Sequence, residues 1–160
     1  MLSLKSLIVV AATVLALRAV TAEAAAPSND NFATPTSVPA VLPYANTQSA
    51  VEATLEAGEP KPCGIFAATV WYSFAPTSSG TVQVSTAGSS YDTVLAVYTG
   101  NSFASLNMID CNDDTGSSLQ SAVQFSAVAG TTYRIQAGSV DAVAGDLSFS
   151  AAWGTPPAND

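Results

Sequence analysis

The chain has 160 residues, with four Lys or Arg against twelve Asp or Glu, no histidine and a formal net charge of −8. So few cations cannot neutralise a run of phosphates or hold an anionic bilayer surface, which sets aside nucleic-acid and membrane-surface partners. Lack of histidine removes the usual general base, the Ser-His and Cys-His nucleophile pairs and every His-containing zinc site. The chain is therefore expected not to be an enzyme, and its natural small partner is a cation.

Residues 1–24 read as a secretory signal: Lys5 in a short basic region, an apolar stretch from Leu7 to Leu17, and small residues at Ala22, Ala24, Ala25 and Ala26 for cleavage. Removing them takes away Lys5, Arg18 and Glu23 and leaves two basic and eleven acidic residues. The expected location is secreted, with no membrane contact after cleavage. Residues 25–43 are rich in Pro, Ser, Thr and Asn without sustained periodicity, and predict an extended lead-in over the domain surface.

Residues 44–154 predict the folded domain. Short strands are expected at Val41–Ala45, Ala50–Leu55 and Leu106–Ile109. Period-two patterns add Val70/Tyr72/Phe74, Val82/Val84, Val94/Ala96/Tyr98, Val123/Phe125, Tyr133/Ile135/Ala137 and Leu147/Phe149/Ala151. Turn clusters separate them, at Pro76–Gly80, Gly88–Ser90, Gly100–Ser102, Asn112–Ser118, Gly130 and Gly145. Eight or nine such strands, each burying one face, predict an all-β, two-sheet antiparallel β-sandwich of jelly-roll or CUB-like type. The tail 155–160 carries Pro156-Pro157-Ala158-Asn159-Asp160, an echo of Ala26-Pro27-Ser28-Asn29-Asp30, and reads as the start of another repeat.

Two cysteines in an exported chain predict one disulfide, Cys63 to Cys111, worth about 4 kcal/mol through restriction of the unfolded chain. A reactive thiol would need a basic neighbour, whereas Cys111 stands among Asp110, Asp113 and Asp114.

Several segments in order carry a family resemblance: Asn29-Asp30-Asn31-Phe32, Glu56-Ala57-Gly58-Glu59-Pro60, Pro62-Cys63-Gly64, Val70-Trp71-Tyr72-Ser73-Phe74, the run Tyr91 to Gly100, Cys111-Asn112-Asp113-Asp114 and Ala129-Gly130-Thr131-Thr132-Tyr133. Together they resemble the bacterial pre-peptidase C-terminal domain. That resemblance implies a secreted, non-catalytic β-sandwich, usually appended to extracellular peptidases, with relatives on collagenases that bind calcium and collagen. Here no peptidase segment accompanies it.

Calcium takes six to eight oxygen ligands, and the sequence clusters suitable oxygens. Asp110, Asn112 and Asp114 alternate like the opening of an EF-hand loop, but Thr115 and Ser121 stand where that loop needs Gly and Glu. A Cys63–Cys111 bridge is expected to draw Glu56 and Glu59 toward Asp113 and Asp114, with Asp92 as a fifth carboxylate; repulsion within such a group favours a divalent ion. Glu56, Glu59, Asp92, Asp113 and Asp114 are thus the expected calcium ligands. Two alternatives stay open, a solvated turn for the acidic loop and a backbone cap for Asp92. Asp114-Thr115-Gly116 matches an aspartic-protease tripeptide in letters only.

Trp71, Trp153 and Tyr44 are candidate ligand contacts, for a reading in which the module binds collagen or carbohydrate through exposed aromatics. The leading expectation is a secreted, non-catalytic accessory or adhesion module, stabilised by its disulfide and by calcium. Its expected partners are extracellular matrix, polysaccharide or a secreted enzyme.

Overall fold

A computed structural model describes residues 25–65 and 67–154. The expected signal at 1–24 and the tail at 155–160 expected to begin another repeat lie outside the described residues. Nine strands are found among them: β1 (Thr36–Val38), β2 (Tyr44–Ser49), β3 (Ala67–Phe74), β4 (Gly80–Ser85), β5 (Thr93–Thr99), β6 (Asn107–Asn112), β7 (Ala122–Ala127), β8 (Tyr133–Ser139) and β9 (Asp146–Trp153). They form a five-stranded sheet in the order β1-β3-β8-β5-β6 and a four-stranded sheet in the order β2-β9-β4-β7. Neighbours are antiparallel except β1, which runs parallel to β3. The two-sheet sandwich expected from the period-two patterns is present.

Alternation explains the core between the sheets. Val70, Tyr72 and Phe74 of β3, with Leu95 and Val97 of β5 and Ile135 and Ala137 of β8, meet Val82 and Val84 of β4, Val123 and Phe125 of β7, and Leu147 and Phe149 of β9. Tyr72 stacks on Phe149 across the interface, ring centroids 3.9 Å apart. This is the inner-face packing on which a sandwich depends.

The other face of the five-stranded sheet is also covered. Trp71, Ala96 and Tyr98 point outward, away from the main core, and form a second apolar cluster with Phe32, Phe103, Leu106 and Cys111. Three expectations are corrected by this cover. Residues 25–43 do not simply trail over the surface: Asn29, Asp30, Phe32 and Val38 are buried, and β1 lies inside that segment. Ala50–Leu55 forms no strand, because the chain turns at Val51–Glu52 and Thr54 is tied to the buried Asp30 carboxylate, its amide 2.5 Å and its hydroxyl 2.9 Å away. The inner strands of the larger sheet, β3, β8 and β5, bury both faces, not one; β5 is buried from Thr93 to Tyr98.

Candidate metal centre

Cys63 and Cys111 are bridged, with Cα atoms 6.1 Å apart. The bridge ties the short turn Pro62–Gly64 to the end of β6, where Cys111 faces Ala96 of β5 in the ladder. Gly64 has φ +94°, a conformation that favours glycine, and a Cβ built on it would lie 3.8 Å from Asp113 Oδ2. The disulfide therefore seats the turn directly against the acidic loop.

Asp92 stands just before β5, and Asp113 and Asp114 follow β6, so antiparallel pairing of these strands returns the chain to the same end of the sheet. One carboxylate oxygen from each of the three lies within 4.8 Å of the others. Asp92 and Asp113 are half-buried, while Asp114 is exposed. Asp92 Oδ1 and Asp113 Oδ1 are shut off from solvent and accept no hydrogen bond. Burial raises the pKa of both groups; Asp113, Asp114 and Asp141 push Asp92 further up, and Asp114 does the same to Asp113. A backbone cap would have supplied Asp92 with an N–H donor, and among the described residues its shielded oxygen has none.

The loop is held by its own polar groups. Asn112 Oδ1 accepts from the Ala122 amide at 3.0 Å, and Asn112 Nδ2 donates to the Asp114 carbonyl at 3.0 Å. The buried Ser121 hydroxyl lies between the carbonyls of Thr93 and Asp113, with its one proton shared between them, linking the loop to the start of β5. These bonds set the backbone positions of Asp113 and Asp114 without using their carboxylates. Three clustered carboxylates, two of them with a shielded, unpaired oxygen, suit a hard cation that takes oxygen ligands.

Glu56 and Glu59 do not join this group. Glu56 Oε2 accepts the Phe32 amide at 2.6 Å. Glu59 is buried beneath the outer-face cluster, where it accepts from Trp71 Nε1 at 3.0 Å, Gln136 Nε2 at 2.9 Å and the Glu56 amide at 2.7 Å. The physical reason is competition: three donors beside an indole hold the Glu59 carboxylate more directly than a cation site beyond the turn. Trp71 is likewise corrected as a ligand contact, since it is fully buried and packs edge-on to Phe32 at 4.9 Å. Tyr44 is half-buried and tilts against Phe149, and Trp153 is 40% exposed beside Gly80.

Gln136 is a further buried polar group that the sequence pattern does not single out. It is fully buried, accepts from the Tyr98 hydroxyl at 2.8 Å and donates to Glu59 and to the Pro60 carbonyl. Its one sequence signal is its position between Ile135 and Ala137, which turns it to the outer face; nothing local says that this face is covered.

No family model matches the chain, and no curated protein matches it. Among solved structures it is similar to the pre-peptidase C-terminal domain of a collagenase from Bacillus anthracis, at 14% identity, TM-score 0.50, covering 73% of this chain and 93% of that one. It is also similar to PliG from Aeromonas hydrophila, a periplasmic inhibitor of g-type lysozyme, at 15% identity, TM-score 0.47, covering 75% and 96%. The first likeness concerns the fold: the chain is a disulfide-bonded β-sandwich with the architecture of a pre-peptidase C-terminal domain.

Proposed function

We propose that the protein is a secreted, non-catalytic accessory or adhesion module whose folded state is stabilised by its disulfide and by calcium at Asp92, Asp113 and Asp114. The observation that carries the calcium reading is the pair of shielded oxygens, Asp92 Oδ1 and Asp113 Oδ1, without a donor inside a group of three carboxylates. A cation would supply the missing partner and offset their mutual repulsion. Its role would be linkage: an ion bound by the folded form alone adds about 2.7 kcal/mol at a hundredfold excess over its Kd. The secreted, accessory character is supported by the disulfide, the signal-like leader and the architecture shared with a domain of a collagenase.

Thermal melts in calcium, magnesium and EDTA test this reading. Calcium is expected to raise the Tm of the wild type, and Asp113→Asn to lose most of that rise. An unchanged transition in calcium and EDTA would remove the ion from the account. The second reading, an aromatic binding face, now rests on the 40%-exposed Trp153 with Tyr44. Retention on collagen or polysaccharide that falls with Trp153→Ala would favour it.

A further inference from the structure

Outside the leader the sequence has two basic residues, Lys61 and Arg134. Arg134 lies on the outer face of the five-stranded sheet, in register between Ser73 of β3 and Tyr98 of β5. Its guanidinium sits over the Phe32 ring, 4.8 Å from the centroid. Nε is shielded from solvent and has no hydrogen-bond partner. Among the described residues the guanidinium forms no ion pair, although the chain holds three acidic residues for every basic one. Since Nε is shielded, a ligand can meet the guanidinium only through its terminal Nη groups, which are shaped to take a carboxylate through two parallel bonds.

Arg134 lines a depression of about 560 Å³ bordered by Gly100, Asn101, Ser105 and Thr132. The border is preformed. Gly100 has φ +113°, and a Cβ there would collide with the Ser105 carbonyl, so the loop closes tightly on itself. Ser105 Oγ accepts the amides of Asn101 at 3.3 Å and Ser102 at 3.1 Å, which fixes the turn around it. What faces a ligand is one cation ringed by hydroxyl and carboxamide groups, with no large apolar side chain to anchor a peptide.

We propose that this depression is a binding site for a carboxylate-bearing sugar, a uronic acid, with Arg134 pairing the carboxylate and Asn101 and Thr132 contacting ring hydroxyls. The negative charge of the whole chain favours a single carboxylate over a polyanion. The site is separate from the aspartate group and needs no metal.

Calorimetric titration with sodium glucuronate, in EDTA and low salt, tests the proposal on the oxidised chain. Sodium acetate, methyl glucoside and an acetylated tripeptide with a free C-terminus serve as comparison ligands. Saturable glucuronate binding is expected, weaker binding of acetate and the tripeptide, and none of methyl glucoside. Arg134→Gln is expected to weaken glucuronate by about 10- to 100-fold, the usual range for a charge-assisted pair. Amide NMR shifts on titration are expected at Gly100, Asn101 and Thr132. Should Arg134→Gln fail to fold, Arg134→Lys and Thr132→Val are each expected to weaken binding while keeping the wild-type melt. Absence of saturable binding, equal binding by a folded Arg134 variant, or shifts confined to other residues would overturn the site. Tripeptide binding as tight as glucuronate would overturn the sugar assignment. Because EDTA is present throughout, these outcomes do not depend on the calcium reading.

Discussion

Glu59 shows how much one side chain can organise. Its carboxylate gathers an indole N–H, a carboxamide and a backbone amide from three separate stretches of chain. Truncation as Glu59→Ala leaves these donors unpaired in a covered site, and at 1–3 kcal/mol for an unsatisfied buried group a loss of about 3 kcal/mol is expected in urea unfolding. An unchanged midpoint would show that water replaces the carboxylate at no cost. Burial raises the Glu59 pKa above 4.5, more than its hydrogen bonds lower it. The folded state then holds its proton to higher pH than the unfolded state does. Stability contributed by this group rises as pH falls through the raised value toward 4.5 and is lost as pH rises again. Glu59→Gln, which does not titrate, is expected to flatten that part of the pH profile, as urea titrations at stepped pH would measure.

The cover over the larger sheet is the element-scale counterpart. Residues 27–34 clasp β3 from outside: the Asn29 carbonyl accepts the Trp71 amide at 2.9 Å, Asn29 Nδ2 donates to the Trp71 carbonyl at 3.0 Å, and Phe32 packs on Trp71 and Phe103. Phe32→Ala opens this cluster and is expected to cost about 3 kcal/mol, with a rise in Trp71 fluorescence quenching by acrylamide. Gly100→Ala, on the facing turn, is expected to destabilise through both its φ and the Ser105 carbonyl, lowering the Tm by several degrees in calorimetry. The inner faces were legible because Val70/Tyr72/Phe74 and Leu147/Phe149/Ala151 alternate strictly. Burial of the outer face had a quieter signal, the uninterrupted apolar run Val94 to Tyr98, which a strand exposed on one side would not carry. That the cover comes from Phe32 could not be read locally, since it depends on a contact between residues 39 positions apart in sequence, Phe32 and Trp71.

At the scale of the whole molecule, excess negative charge and one covalent link decide where stability resides. Counting cysteines was enough to pair Cys63 with Cys111, and adjacency was enough to single out Asp113 and Asp114. The fate of Glu56 and Glu59 was not legible, because it turns on the donors Phe32, Trp71 and Gln136 supplied by distant segments. Replacing both cysteines with alanine is expected to cost about 4 kcal/mol of stability. It is also expected to weaken calcium binding, since Gly64 would no longer be held against Asp113. Protons and calcium compete for the same oxygens. Asp92 and Asp113 both have pKa values raised above 3.8, so without metal the repulsion among them is relieved as pH falls through those raised values and is fully present above them. Calcium should therefore raise the Tm most at pH above those raised values and progressively less as the pH is lowered through them toward 4. Asp92→Asn/Asp113→Asn should remove both the calcium response and this share of the pH dependence while leaving the part due to Glu59. Calorimetric melts across that pH range, with and without calcium, separate the two contributions; a calcium shift that stayed constant down to pH 4 would place the ion elsewhere on the molecule.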